Sequence, residues 1–369
     1  GNNHEISYTY HNNYQGSFTP ALISYAEDVT IKDLTVHADL YLCYENVHGS
    51  VLVSSMKKGT IDNCHCVLDY CSFDDPSPNL GLIFGGIVGH ITSNFDEDPM
   101  NSTDSDSGND DGIVEITNCS MKFLSDLVSI YNNFTTTTTT NQIVGGIVGK
   151  VSGKNAETNN VIINKCFVGQ STSTEKIYST LKSAEYTVIG KLQTNKDLVD
   201  KTSCFGGIVG NVYQSKVTIV NCLNRQAFSV HNSYIGGIVG YYGKLNTSSQ
   251  SESGLELKIL NCLASNFDNS LGGNIYVSGI VNTAFADYPA NLTILLCVDQ
   301  YGPTSYPNPG DYYCYAIANS YEGIHFRESD GLTNVRNMTS NGSRPAYRGA
   351  TAGNTSWYVA EDNLLFHFI

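Results

Sequence analysis

Six of the eleven cysteines stand at the same place in a recurring phrase. The copies are Ile61-Asp62-Asn63-Cys64, Ile116-Thr117-Asn118-Cys119, Ile163-Asn164-Lys165-Cys166, Ile219-Val220-Asn221-Cys222, Ile259-Leu260-Asn261-Cys262 and Ile294-Leu295-Leu296-Cys297. Ile31-Lys32-Asp33-Leu34 reads as an earlier copy with leucine in the cysteine slot. Equal placement in successive units puts these thiols side by side. Stacked neighbours lie at a bridgeable Cα distance, but parallel side-chain vectors suit a disulfide poorly. The expectation is a core ladder of free thiols, Cys64, Cys119, Cys166, Cys222, Cys262 and Cys297, in which cysteine acts as a small hydrophobe. Cys43, Cys66 and Cys71 are the better disulfide candidates. Zinc needs four ligands converging on one point. The one local cluster, Cys64-His65-Cys66 with Cys71, sits on neighbours that alternate faces in a strand, so no zinc site is expected.

Carboxylates gather between residues 94 and 112, including Asp96, Glu97, Asp98, Asp104, Asp106, Asp110 and Asp111. Asp104, Asp106 and Asp110 are weak calcium candidates. The regular spacing of a calcium loop and its closing glutamate are both missing, so a solvated acidic loop is the expectation. The nine histidines are scattered, and His90 reads as a turn residue. No catalytic constellation stands out, and no cofactor is expected.

The elements that hold the cysteines come from a second phrase. Gly85-Gly86-Ile87-Val88-Gly89 returns at 145 to 149, 206 to 210 and 236 to 240. Worn copies stand at Ser278-Gly279-Ile280-Val281-Asn282, Tyr315-Ala316-Ile317-Ala318-Asn319 and Gly49-Ser50-Val51-Leu52-Val53. The closest copies begin at Gly206 and Gly236, a period of 30. A fixed period of this size marks a repeat architecture. The apolar runs are short, β-branched and bounded by Gly, Asn, Ser and Thr, which argues for strands. Each unit reads as two short strands, with Gly-Gly at a tight bend where positive φ is free of steric cost. Such a unit buries its apolar face only by stacking on its neighbours. The predicted fold is all-β: a parallel β-helix, or β-solenoid, of about eight coils with polar loop insertions and a rise of about 4.8 Å per coil.

The pairing of Gly-Gly-Ile-Val-Gly with a following Ile-x-Asn-Cys resembles the GLUG-motif repeats of secreted and cell-surface proteins. The resemblance covers roughly residues 29 to 320. Trp357-Tyr358-Val359 and Asn363-Leu364-Leu365-Phe366 also look like the segment that closes such repeats. What the resemblance implies is a scaffold with an adhesive surface, not a particular chemistry.

The organisation expected is an N-terminal cap or assembly segment at 1–28, a repeat domain at 29–325 and a C-terminal cap or assembly segment at 326–369. Insertions fall near 94–112, 133–141, 170–203 and 243–254. The second holds six consecutive threonines, Thr135 to Thr140, a place for O-glycans. The third, rich in lysine, reads as a small hairpin or helix. Ile6, Tyr8 and Tyr10 alternate with polar residues, as do Leu364, Phe366 and Phe368 with their neighbours. Open strand edges at both ends invite pairing with another copy of the chain.

Net charge is −15, from 35 acidic and 20 basic residues. With no basic patch, nucleic acid and anionic membrane are not expected partners. No apolar run approaches the roughly 20 residues of a membrane span. Acceptor sequons for N-linked glycans occur at Asn101, Asn133, Asn246, Asn291, Asn337, Asn341 and Asn354. Asn118 also fits the pattern, but its place beside Cys119 should keep it bare. The chain opens with Gly1, which is expected of a processed or partial chain. The functional expectation is a secreted, extracellular, glycosylated structural protein: a subunit of a filament or surface layer with an adhesive role, and not an enzyme. The alternative is a carbohydrate-binding or polysaccharide-cleaving β-helix. β-Helical enzymes of that kind group carboxylates on one face. A groove lined by aromatics and carboxylates would favour the alternative.

Overall fold

The computed structural model describes residues 4–11, 19–43, 47–74, 82–92, 112–124, 142–153, 159–169, 191–193, 203–229, 234–243, 256–264, 275–278, 280–283, 291–295, 297–299, 312–315 and 324–325. Among these residues every regular element is a strand. All strand pairings are parallel. Most strands belong to three sheets, of 14, seven and seven strands.

Sequence order is spatial order within each of the two seven-stranded sheets. One seven-stranded sheet runs from Val47–Ser50 through Leu82–Gly85, Gln142–Gly145, Cys204–Gly206 and Tyr234–Gly236 to Ile275–Ser278 and Tyr312–Tyr315. The other runs from Ile23–Ala26 through Val53–Met56, Val88–Thr92, Val148–Ser152, Val209–Tyr213 and Val239–Tyr242 to Val281–Thr283. The large sheet collects the segments around each cysteine, such as Lys216–Val220 and Leu223–Asn224. One 30-residue unit therefore contributes at least four strand segments, where the phrase spacing suggested two. The extra ones are too short to leave an alternating pattern. The insertion at 170–203 shows a strand, Lys191–Gln193, paired in parallel with Ala227–Ser229 in a two-stranded sheet. Residues 170–190 and 194–202, on which the expected hairpin or helix falls, lie outside the described residues.

The glycine phrase is the corner between the two smaller sheets. Gly85 ends one strand and Val88 begins the next. The corner stays hydrogen-bonded from repeat to repeat. Ile87 N–H donates to Ile147 O (2.9 Å), Ile147 to Ile208 (2.9 Å), Ile208 to Ile238 (2.9 Å) and Ile238 to Ile280 (3.0 Å). These isoleucines are fully buried in one core cluster with Phe84, Val144, Phe205, Ile116, Ile163 and Ile219. Each contributes roughly 2 kcal/mol through the apolar surface it withdraws from water.

The corner corrects the reason given for its glycines. None of the described phrase glycines has positive φ; the described glycines that do are Gly59, Gly169 and Gly243. The phrase glycines are there for close approach. A Cβ on Gly145 would stand 1.8 Å from Val148 O, and one on Gly146 would stand 2.1 Å from Gly207 O. The worn copy also shifts by one residue. Ser50 pairs with Gly85 and Val53 with Val88, so Ser50, not Gly49, opens it.

Candidate functional site

Ile-x-Asn-Cys is a corner rather than a strand end. In the third copy the strand stops at Thr117, and a new strand starts at Ser120. Between them Asn118 takes the left-handed conformation (φ 53°). Asp33 (55°), Asn63 (51°), Lys165 (54°), Asn221 (55°) and Asn261 (51°) do the same at their corners. Asparagine and aspartate tolerate this region better than other side chains. Their amides also bond along the stack. Asn63 Nδ2 donates to Asp33 Oδ1 (2.8 Å), Asn118 to Asp62 (2.8 Å), Asn221 to Asn164 (3.2 Å) and Asn261 to Asn221 (2.7 Å). The amide of Asn118 is therefore engaged inside the stack.

The residue after each corner is the stacked cysteine, except at Asp33, where Leu34 takes its place. Cys64, Cys119, Cys166, Cys222, Cys262 and Cys297 are all buried and unbridged. Each sulfur sits near a carbonyl of the preceding repeat: Cys119 Sγ near Ile61 O (3.7 Å), Cys166 near Ile116 O (3.5 Å), Cys222 near Ile163 O (3.6 Å) and Cys297 near Ile259 O (3.3 Å). The thiols fill the core corner and offer weak donors to these carbonyls. Burial pushes the Cys166 and Cys262 thiols well up, away from the thiolate. Of the disulfide candidates, Cys66 and Cys71 are buried and unbridged, and the side chain of Cys43 lies outside what the structure describes. Burial likewise raises the Cys66 pKa.

Chemistry-bearing side chains instead meet on the outer face of the first repeats. The strands His4–His11, Val29–Cys43 and Gly59–Asp74 lie side by side. Alternate residues face outward. Glu5 pairs with Thr35, Ser7 with His37, Thr9 with Asp39 and His11 with Tyr41. On the far side Thr35 pairs with His65, and Asp39 with Tyr70. Ala38 pairs with Leu68 and Asp39 with Tyr70, so Asp69 is an extra residue, a bulge in the third strand. The bulge aims its carboxylate sideways. His37 Nδ1–H donates to Asp69 Oδ2 at 2.8 Å, and His37 Nε2 lies 3.9 Å from Glu5 Oε1. A groove of about 380 Å³ runs here, lined by Glu5, Ser7, Tyr8, Thr9, His37, Ala38, Asp39 and Asp69. Tyr8 forms its floor, with its hydroxyl donating to Val51 O (2.8 Å).

Beside the groove stand three rings. His11 stacks on Tyr41 (centroids 4.3 Å apart, 12° between planes), and Tyr41 meets Tyr70 at 5.1 Å and 39°. The neighbouring strand Ser120–Phe123 ends opposite Leu68, and Tyr70 is 44% exposed. The sequence reading missed this cluster because its members lie about 30 residues apart. Reading the alternation in Glu5-Ile6-Ser7-Tyr8-Thr9-Tyr10 beside that in Thr35 to Tyr41 would have found most of it; the bulge at Asp69 leaves no such signal.

A second polar line is buried. Ser55, His90, Lys150, Asn211 and Tyr241 follow successive copies of the glycine phrase and pair in register. His90, read from the sequence as a turn residue, is 2% exposed within the strand Val88–Thr92. Its Nε2 lies 2.6 Å from Ser152 Oγ. Burial, reinforced by Lys150 and His48, holds its pKa well below the ordinary imidazole value, so it is neutral.

Among the described residues no group of three or more His, Cys, Asp or Glu is placed to hold a metal ion. The calcium candidates Asp104, Asp106 and Asp110 lie outside the described residues, as do Asn101, Asn133, Asn246, Asn337, Asn341 and Asn354. Asn291 opens the strand Asn291–Leu295, not a loop. No helix among the described residues is long and apolar enough to cross a membrane. Comparison of the chain with protein-family models, with curated proteins and with solved structures finds no match.

Proposed function

We propose that this chain is a parallel β-helix of the GLUG-repeat kind that serves outside the cell as a glycosylated structural element with an adhesive face. The observation that carries the reading is the common register of successive repeats in the same three parallel sheets. The repeated residues are spent on packing. Glycines admit backbone close approach, isoleucines fill the core, and asparagines and cysteines finish the corner. Nothing repeated is left over for catalysis, whereas the outer faces are free to vary. That division of labour suits a scaffold that displays surface. Assembly into filaments follows from the edges. Among the described residues, His4–His11 and Ile23–Ala26 each pair with a strand on one side only, and an open edge accepts a further strand.

Negative-stain electron microscopy and sedimentation of the native protein test this reading. Rods that lengthen by end-to-end contact are expected, since such contacts do not close. A compact particle that stays monomeric at high concentration would remove the filament, and a globular outline would remove the β-helix. Glycopeptide mass spectrometry tests the extracellular assignment, with occupancy expected at several of the seven sequons and none at Asn118.

A further inference from the structure

We propose that the groove on the outer face of the first repeats binds a saccharide that is neutral or carries an amino group. This names the ligand of the adhesive face, and it rests on the scaffold reading only for its biological setting. Two unlike surfaces meet here, since Tyr70 stands beside the groove as the register partner of Asp39 in its lining. One is the ring of Tyr70, 44% exposed, with Tyr41 behind it. The other is a polar row of Glu5, Ser7, Thr9, His37, Asp39 and Asp69.

A pyranose answers both surfaces at once. Its flat C–H face is apolar enough to lie on an aromatic ring. Its hydroxyls donate to carboxylates, and such charge-assisted bonds are the stronger kind. The acceptors are held in place beforehand. Asp69 is fixed by its bulge and by the 2.8 Å bond from His37, and sheet register brings Glu5 and Asp39 to the same face. Pre-ordered acceptors cost a ligand less entropy on binding.

Charge sets the class of sugar. Glu5, Asp39 and Asp69 face a single imidazole, so the groove stays negative even when His37 is protonated. Uronates and sulfated sugars are repelled. A hexosamine ammonium is attracted, and a neutral hexose is accepted through its hydroxyls.

The test is isothermal titration of the intact chain with four probes: a neutral hexose oligomer, a deacetylated hexosamine oligomer, a uronate oligomer and polylysine. The neutral or the amino oligomer should bind, and the uronate should not. Tyr70→Ala and Asp69→Asn should each weaken that binding about fivefold to tenfold, the scale of one aromatic or polar contact, with an unchanged melting temperature. Equal binding of uronate, binding of polylysine alone, no saccharide binding, or insensitivity to Tyr70→Ala would overturn the proposal. Sedimentation of the same samples separates the two readings. Assembly without saccharide binding defeats this site alone, and binding by a monomer defeats the filament alone.

Discussion

Asn261 donates its side-chain amide to the side-chain oxygen of Asn221 across 2.7 Å, and both residues hold positive φ (51° and 55°). One residue type thus meets two demands of the corner. It tolerates the left-handed turn, and it ties each turn to the next. The two demands separate by mutation.

Asn221→Val should remove both. A β-branched residue in the left-handed region costs about 1–2 kcal/mol, and the lost buried amide bonds about 1 kcal/mol more. Asn221→Gly should cost clearly less, because glycine keeps the turn. Equilibrium denaturation of the two variants checks the order. Equal losses would mean that the conformation is not what selects asparagine.

The glycine corner fails for a different reason. Gly146→Ala places a methyl 2.1 Å from Gly207 O, where only backbone can move. Destabilisation above about 2 kcal/mol is expected, as for overpacking of a rigid core. Gly112→Ala is the control, since its nearest neighbour is Lys57 O at 3.1 Å. Thermal melts of both variants should differ widely. A mild effect at Gly146 would show that the corner relaxes.

The cysteine ladder predicts a two-stage thiol titration. Native protein should leave Cys64, Cys119, Cys166, Cys222, Cys262 and Cys297 unreactive toward a thiol reagent, because they are buried out of its reach. Denaturation without reductant should release them all. Six residues paired in disulfides after that treatment would refute the ladder.

Acid should weaken the fold through His90. Its pKa is lowered in the folded chain by burial, then by Lys150 and His48. The unfolded imidazole titrates near its ordinary value of about 6.5. Below that value the unfolded state binds more protons, so this contribution is complete above about pH 6.5 and is lost as pH falls. His65 shifts in the same direction through burial. His90→Gln should flatten the stability curve between about pH 6.5 and 5, the range in which imidazole charges. An unaltered curve would show that His90 does not control it.

Much of the scaffold was legible in the sequence. The 30-residue period, the strand character and the common place of the cysteines follow from residue types repeated at fixed spacing, because a repeat that cannot bury its own face must stack. The alignment of Leu34 with Cys64 was readable in the same way. What the sequence could not reveal is how the backbone turns. Gly146 looks like a positive-φ glycine until the neighbouring repeat is placed 2.1 Å from its missing Cβ, a contact with a residue far along the chain. Asn118 reads as part of a strand until its φ of 53° makes it a corner. His37 and Asp69 acquire a common role only when a bulge of one residue re-aims a carboxylate across two strands. Periodicity records which residues recur, and so it determines the core. Close approaches and bulges arise between residues distant in the chain, so only the tertiary structure decides them and the site they form.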